Sequence, residues 1–229
     1  MIELSAESLR ISPMTPRHVT PKSDDRETQH KAARIGTLAK QIISNLDLPF
    51  HEVNNKKRGE KIQKSTMKWI ERFDIIPNER LRQKVSAASF GVFMSNVHPD
   101  TSLNRTKIIA DFATWLFLYD DRIEECNDLD EIKKRHKRTL EIVIGAEVRD
   151  EDDALMKGLH DIMKRIEKEN PEEEWKARFI KDIALYCRYT HRWEAKNRLE
   201  KRVPTLEEYN KKRPYTSGTL IMFDLIEFA

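Results

Sequence analysis

The sequence has few of the residues that build disulfide frameworks. It contains two cysteines in 229 residues, Cys126 and Cys187. Two cysteines make at most one disulfide, and their separation matches no common zinc-binding pattern. A disulfide-stapled secreted domain is therefore not expected, and we predict a reduced, cytoplasmic protein.

No segment has the pattern of a signal peptide or a membrane span. Residues 1–25 lack a basic start followed by an apolar stretch, and Pro13, Pro16 and Pro21 favour an extended leader there. The longest nearly continuous apolar stretch, residues 112–119, is far shorter than the about 20 residues that cross a bilayer. We therefore predict a leader over 1–25, a single helical region over 26–229 and no membrane span.

A strong net charge is also missing. The chain carries 42 Lys and Arg against 39 Asp and Glu, a net charge of +3. Basic residues cluster at 133–138 and 188–198, but acidic residues interrupt or flank both stretches. Solvated helix faces are the favoured interpretation, and no nucleic-acid partner is predicted. A basic helical scaffold or nucleic-acid-binding domain remains the alternative from another functional class.

Only six glycines occur, and apolar residues recur at three- and four-residue spacing, which predicts an all-α protein. No repeat of 20–50 residues is found, so a solenoid is not expected. A Thr205–Glu208 capping box predicts one helix start. The other predicted helices cover residues 27–46, 58–73, 78–96, 102–125, 129–144, 151–169, 171–199 and 220–229.

The helix predicted at 102–125 is apolar around nearly its whole circumference, which indicates a central, buried helix. It ends in Asp120, Asp121 and Glu124, whose spacing lets all three carboxylates crowd one face. Like charges at this spacing repel, and Mg²⁺ is the counter-ion that prefers such oxygen ligands. A solvated acidic helix end is the alternative interpretation.

Two segments resemble a known family. Residues 111–124, DFATWLFLYDDRIE, resemble the aspartate-rich helix of microbial class I terpene synthases, and residues 208–218, EYNKKRPYTSG, resemble that family's diphosphate-sensing segment. The resemblance implies a class I terpenoid synthase helical bundle. It also implies Mg²⁺ ligands at Asp120, Asp121 and Glu124, and a diphosphate-sensing role for Arg213. Thr216 would be the linker residue and Ser217 the effector residue at a helix break.

The reaction that this resemblance implies is a Mg²⁺-dependent ionisation and cyclisation of a prenyl diphosphate, farnesyl diphosphate first, with release of diphosphate. Aromatic faces stabilise the cations of such a reaction. Four phenylalanines are candidates for the cavity wall, with ordinary core packing as the alternative for each of them: Phe90, Phe93, Phe112 and Phe117.

One part of the family pattern is not found. The second metal motif, Asn-x-x-x-Ser-x-x-x-Glu, is absent after Arg213, which implies a bundle that is incomplete at its C-terminus. A truncated, non-catalytic remnant is therefore the alternative to an enzyme. Helix 220–229 would then expose apolar side chains, which favour association and make a homodimer possible.

Overall fold

The three- and four-residue apolar spacing does form helices. A computed structural model describes residues 55–229 together with Thr37, Leu38, Gln41 and Asn45. Within 55–229 there are ten α-helices and no strand, which confirms the all-α prediction. A π-helical segment, Thr190–Ala195, joins the helix Glu173–Tyr189 to the helix Lys196–Leu199. The α-helices are α1 (Lys56–Arg72), α2 (Glu79–Ala88), α3 (Phe90–Val97), α4 (Leu103–Glu125), α5 (Leu129–Val143), α6 (Ala154–Lys168), α7 (Glu173–Tyr189), α8 (Lys196–Leu199), α9 (Leu206–Thr216) and α10 (Thr219–Phe228).

The N-terminal predictions fall almost entirely outside the described residues. The leader over 1–25 lies there in full, and so does most of the predicted helix 27–46. Of that helix, Thr37, Leu38, Gln41 and Asn45 are described; the first three are helical and Asn45 lies in a turn.

Helix α4 is the centre of the bundle, as its apolar circumference predicts. It packs against α1, α3 and α6, and the Phe112 ring contacts Phe179 of α7 at a centroid distance of 5.3 Å. Trp115 and Tyr119 are fully buried, and the Trp115 indole donates a hydrogen bond to the Leu155 carbonyl at 2.9 Å. The acidic end of α4 is therefore attached to a rigid apolar core.

Two local departures from regular helix were missed. The predicted helix 78–96 is split at Ser89, which adopts a left-handed conformation at φ 52° and donates from its hydroxyl to the Ser86 carbonyl. The predicted helix 171–199 is continuous but passes through the π-helical segment. Neither Ser89 nor the segment 190–195 contains glycine or proline, and the nearest glycine, Gly91, lies inside α3, so the usual signals of a helix break are absent from both positions.

The basic stretch at 133–138 is partly engaged in ion pairs between helices. Arg135 contacts Asp153 at 2.6 Å, and Arg138 contacts the buried Asp152 at 2.6 Å. These arginines attach α5 to the start of α6 and are not free to contact a polyanion. This favours a structural role over the nucleic-acid alternative.

No helix within the described residues is both long enough and apolar enough to cross a bilayer. Cys126 and Cys187 are both free. On α10, Phe223 and Ile226 are 59% and 52% exposed, so the predicted apolar surface is present.

Candidate functional site

The three predicted metal ligands lie at the C-terminal end of α4, but they do not share one environment. Asp120 and Asp121 are half-buried, and Glu124 is exposed. The Tyr186 hydroxyl of α7 donates a 2.5 Å hydrogen bond to Asp120 Oδ1. Asp121 Oδ2 is buried and has no hydrogen-bond partner within the described residues.

Arg198 of α8, the helix that follows the π-helical segment, also holds the C-terminal end of α4. Arg198 Nη2 donates to the Ile123 and Cys126 carbonyls at 3.0 and 2.7 Å. These carbonyls belong to the last turn of the helix and its cap, where no further turn of helix supplies donors. Arg198 therefore fixes the acidic end and adds a positive charge at the C-terminus of the helix.

Opposite Asp120 lies a polar cluster built from α9 and the π-helical segment. Arg213 Nη1 contacts Glu194 Oε1 at 3.6 Å and Thr216 Oγ1 at 3.5 Å. Arg213 and Asp120 are close enough for the guanidinium to lower the pKa of the Asp120 carboxyl. The structure thus places the predicted sensor Arg213 and linker Thr216 around Glu194, which lies within electrostatic range of Asp120.

The cluster holds an excess of partly desolvated carboxyls. Burial, together with the charge of Asp120, raises the pKa of Glu194 to about 7. Burial raises the pKa of Asp121 to about 6, and it also raises the pKa of Asp120, which the Tyr186 hydrogen bond opposes. A cation would therefore be stabilised here, because it compensates charges that are poorly hydrated.

The donor set suits a hard cation such as Mg²⁺, which binds carboxylate oxygens and keeps part of its shell for water or phosphate oxygens. The unpartnered Asp121 Oδ2 supports this fit. Within the described residues, however, no three His, Cys, Asp or Glu side chains are arranged closely enough to hold a metal by themselves. The three predicted ligands therefore do not form a complete metal site by themselves.

The helix break predicted at Ser217 and Gly218 is confirmed. Helix α9 ends at Thr216 and α10 starts at Thr219. Gly218 has φ 70°, and a Cβ there would lie 3.1 Å from Leu116 Cδ2 on α4. Glycine thus allows both the left-handed turn and the close approach to α4. The Ser217 hydroxyl lies 2.7 Å from the Thr219 hydroxyl across the break.

The four candidate wall residues are not equivalent. Phe90 and Phe117 stack at a centroid distance of 4.7 Å, and Phe117 is 43% exposed. Phe93 is 54% exposed. Phe112 is fully buried between Trp115 and Phe179, so we correct its assignment to a core residue. It faces α7 because α4 is surrounded by helices, and periodicity alone does not show which face meets an open space.

Sequence reasoning missed two residues around Asp120, namely Tyr186, which donates to it, and Glu194 of the polar cluster. Glu194 follows the buried residues Ile183, Tyr186 and Thr190 at three- and four-residue spacing. A carboxylate that continues an apolar stripe is a usable signal, because buried charges are rare unless they are paired. Tyr186 has no comparable signal, since a tyrosine on an apolar face is usually a core residue.

Residues 111–229 match the family described as terpene synthase family 2, C-terminal metal binding. The chain is 30% identical to a (+)-T-muurolol synthase of Roseiflexus castenholzii over 171 residues, which are 73% of this chain and 52% of that protein. It is also 30% identical to a germacrene A synthase of Nostoc punctiforme over 195 residues, covering 82% of this chain and 58% of that protein. The chain thus spans little more than half the length of these relatives.

Solved structures show the same fold. The ancestral SVS_A2 protein superposes with a TM-score of 0.72 at 19% identity, covering 79% of this chain and 56% of that one. An α-eudesmol synthase superposes with a TM-score of 0.71 at 14% identity, covering 80% of this chain and 61% of that one. The family match over residues 111–229 and the two relatives at 30% identity show that the chain belongs to the terpene synthase family.

Proposed function

We propose that residues 26–229 are the N-terminal and central part of a cytoplasmic class I terpene synthase domain. Its reaction is the Mg²⁺-dependent ionisation and cyclisation of farnesyl diphosphate, with release of diphosphate. The observation that carries this proposal is the meeting of Asp120, Arg213 and the Ser217–Gly218 break at the end of the buried helix α4. The relatives named above support the choice of substrate, since the (+)-T-muurolol synthase cyclises farnesyl diphosphate.

Asp120, Asp121 and Glu124 would hold Mg²⁺, which when bound supplies positive charge to the diphosphate leaving group. Arg213 binds phosphate oxygens through its planar fork, and the nearby Glu194 holds it in place when no diphosphate is present. Thr216 connects Arg213 to the helix break, where Ser217 acts as the effector residue. Departure of the diphosphate leaves an allylic cation that must be kept from water.

Aromatic side chains at the open side of α4 suit that cation. The stacked pair Phe90 and Phe117 is the best-placed candidate, because Phe117 is on the helix surface one turn before Asp121. An aromatic face stabilises a desolvated cation by about 0.5–2 kcal/mol. Phe93 remains a further candidate on α3.

The exposed side chains of α10 have a consequence for assembly. Phe223 and Ile226 expose apolar surface, and within this proposal a second copy of the chain would bury that surface in a homodimer.

The direct test is product analysis. The purified chain is incubated with Mg²⁺ and geranyl, farnesyl or geranylgeranyl diphosphate, beside an Asp120→Asn variant, and volatile products are analysed. We expect a sesquiterpene from farnesyl diphosphate that the variant does not form. If a folded, helical wild type forms no product, the 229-residue chain is not an enzyme by itself, and the non-catalytic alternative is the better description.

Binding of the leaving group gives a second readout. Titration of Mg²⁺-pyrophosphate into the chain should show binding that Arg213→Gln weakens. Lys211→Gln is the matched control, because Lys211 belongs to the same basic run and is exposed. Equal weakening by both variants would mean that Arg213 acts only as general surface charge.

A further inference from the structure

Tyr186 reaches from the protein core to the predicted metal ligand. Its side chain is 3% exposed and belongs to the core face of α7. Only its hydroxyl leaves that apolar surrounding, where it donates the 2.5 Å hydrogen bond to Asp120 Oδ1. Asp120 Oδ1 therefore already accepts a hydrogen bond from within the protein.

The backbone on both sides of this hydrogen bond is fixed by a buried polar chain. Tyr119, the neighbour of Asp120 in sequence, contacts His136 Nδ1 through its hydroxyl at 2.7 Å. His136 Nε2 lies 3.2 Å from the Thr190 hydroxyl, which donates to the Tyr186 carbonyl at 2.8 Å. A closed loop of contacts therefore runs from Asp120 through α5 and the π-helical segment back to Tyr186.

We propose that Tyr186 is a positioning residue that orients the Asp120 carboxylate for a divalent cation. The hydroxyl holds Oδ1 and leaves Oδ2 as the atom available to a ligand. Carboxylates that bind metals are themselves commonly hydrogen-bonded, and the loss of such a partner typically costs about 10–100-fold in metal affinity. This inference rests on the proposed function in treating Asp120 as a metal ligand.

An ordinary core tyrosine is the competing explanation, because buried tyrosines usually find some partner for the hydroxyl. The two explanations differ in what Tyr186→Phe does. A core tyrosine would affect stability alone. A positioning residue would affect cation affinity, and only while Asp120 is present.

The experiment is a calorimetric Mn²⁺ titration of the 229-residue chain, which needs no substrate or turnover. The variants are Tyr186→Phe, Asp120→Ala and the double variant. We expect Tyr186→Phe to weaken Mn²⁺ binding about 10–100-fold. The double variant should bind no more weakly than Asp120→Ala alone. Tyr189→Phe is the matched control, since Tyr189 lies one turn later on α7 and stacks on Tyr215 instead of contacting a carboxylate.

A second measurement does not depend on the metal. A double-mutant cycle on urea unfolding, with Tyr186→Phe and Asp120→Ala, measures the coupling between the two side chains. We expect coupling of about tenfold in the folding equilibrium constant, because the hydrogen bond has a charged acceptor. Circular dichroism of each variant verifies that the helices are retained.

The outcomes separate this inference from the proposed function. Additive unfolding energies, or a Tyr186→Phe variant that binds Mn²⁺ like the wild type, overturn the positioning role and leave Asp120 as a ligand. Wild-type Mn²⁺ binding that Asp120→Ala does not change overturns the metal role of Asp120 and with it the proposed function of this site. A wild type that binds no Mn²⁺ overturns the positioning role, while the product assay with the diphosphate still tests the proposed function.

Discussion

The buried His136 should make the protein sensitive to acid. Its side chain is 5% exposed, and both ring nitrogens contact hydroxyls, Nδ1 with Tyr119 and Nε2 with Thr190. The Thr190 hydroxyl donates to the Tyr186 carbonyl, so it accepts from Nε2–H, and Nδ1 accepts from Tyr119. A neutral imidazole satisfies the whole chain, and protonation of Nδ1 would break it.

Burial, together with the charges of His191 and Arg135, lowers the pKa of His136 to about 3. The unfolded chain therefore takes up a proton near pH 6.5, which the folded chain does not take up until about pH 3. Stability linked to this group is complete above pH 6.5 and is lost as the pH falls. Linkage gives a loss of about 2 kcal/mol between pH 6.5 and 4.5.

The assay is urea unfolding of the wild type and of His136→Phe at several pH values from 7 to 4.5. The variant should be less stable at pH 7, because Tyr119 and Thr190 lose a partner. Its deficit should shrink by about 2 kcal/mol at pH 4.5, because it has no imidazole to protonate.

The difference between the two proteins is the decisive quantity, since buried carboxyls such as Glu194 act in the opposite direction in both. Tyr119→Phe is the control, since it removes the hydroxyl's hydrogen bonds to His136 and Thr139 but keeps the imidazole, and it should follow the wild-type pH dependence. A deficit of His136→Phe that stays constant from pH 7 to 4.5 would refute the assignment of a neutral, desolvated His136.

Two further substitutions test the packing around α4. Gly91→Ala should destabilise the protein by about 1–3 kcal/mol in urea unfolding, because the added Cβ would lie 2.4 Å from the backbone N and Cα of Gln63 where α3 crosses α1. An unchanged unfolding midpoint would show that α1 and α3 can move apart at no cost in stability. Arg198→Ala should lower the free energy of unfolding by about 1–3 kcal/mol, because it removes the donor to the Ile123 and Cys126 carbonyls. Arg198→Lys should recover only part of this loss, and full recovery would mean that charge alone matters.

Much of the fold is predictable because it depends on local periodicity. The all-round apolar pattern of 102–125 identifies α4 as the central helix, and the Thr205–Glu208 pair identifies the start of α9, whose capping box is formed. Both features depend on residues within a few turns of one another. The bend at Ser89 and the π-helical segment do not, and the sequence contains no signal for either.

The candidate site divides in the same way. Asp120, Asp121, Glu124 and the Ser217–Gly218 break follow from local pattern and family resemblance. The approach of Tyr186 to Asp120, 66 positions apart in the chain, follows from the packing of α7 against α4. Packing also places Phe112 in the core while Phe117, five positions later, is exposed. Local sequence thus determined which segments are helical and acidic. Contacts between distant helices decided which side chains share a low-dielectric surrounding, because burial depends on every element that packs around a position and not on its neighbours in sequence.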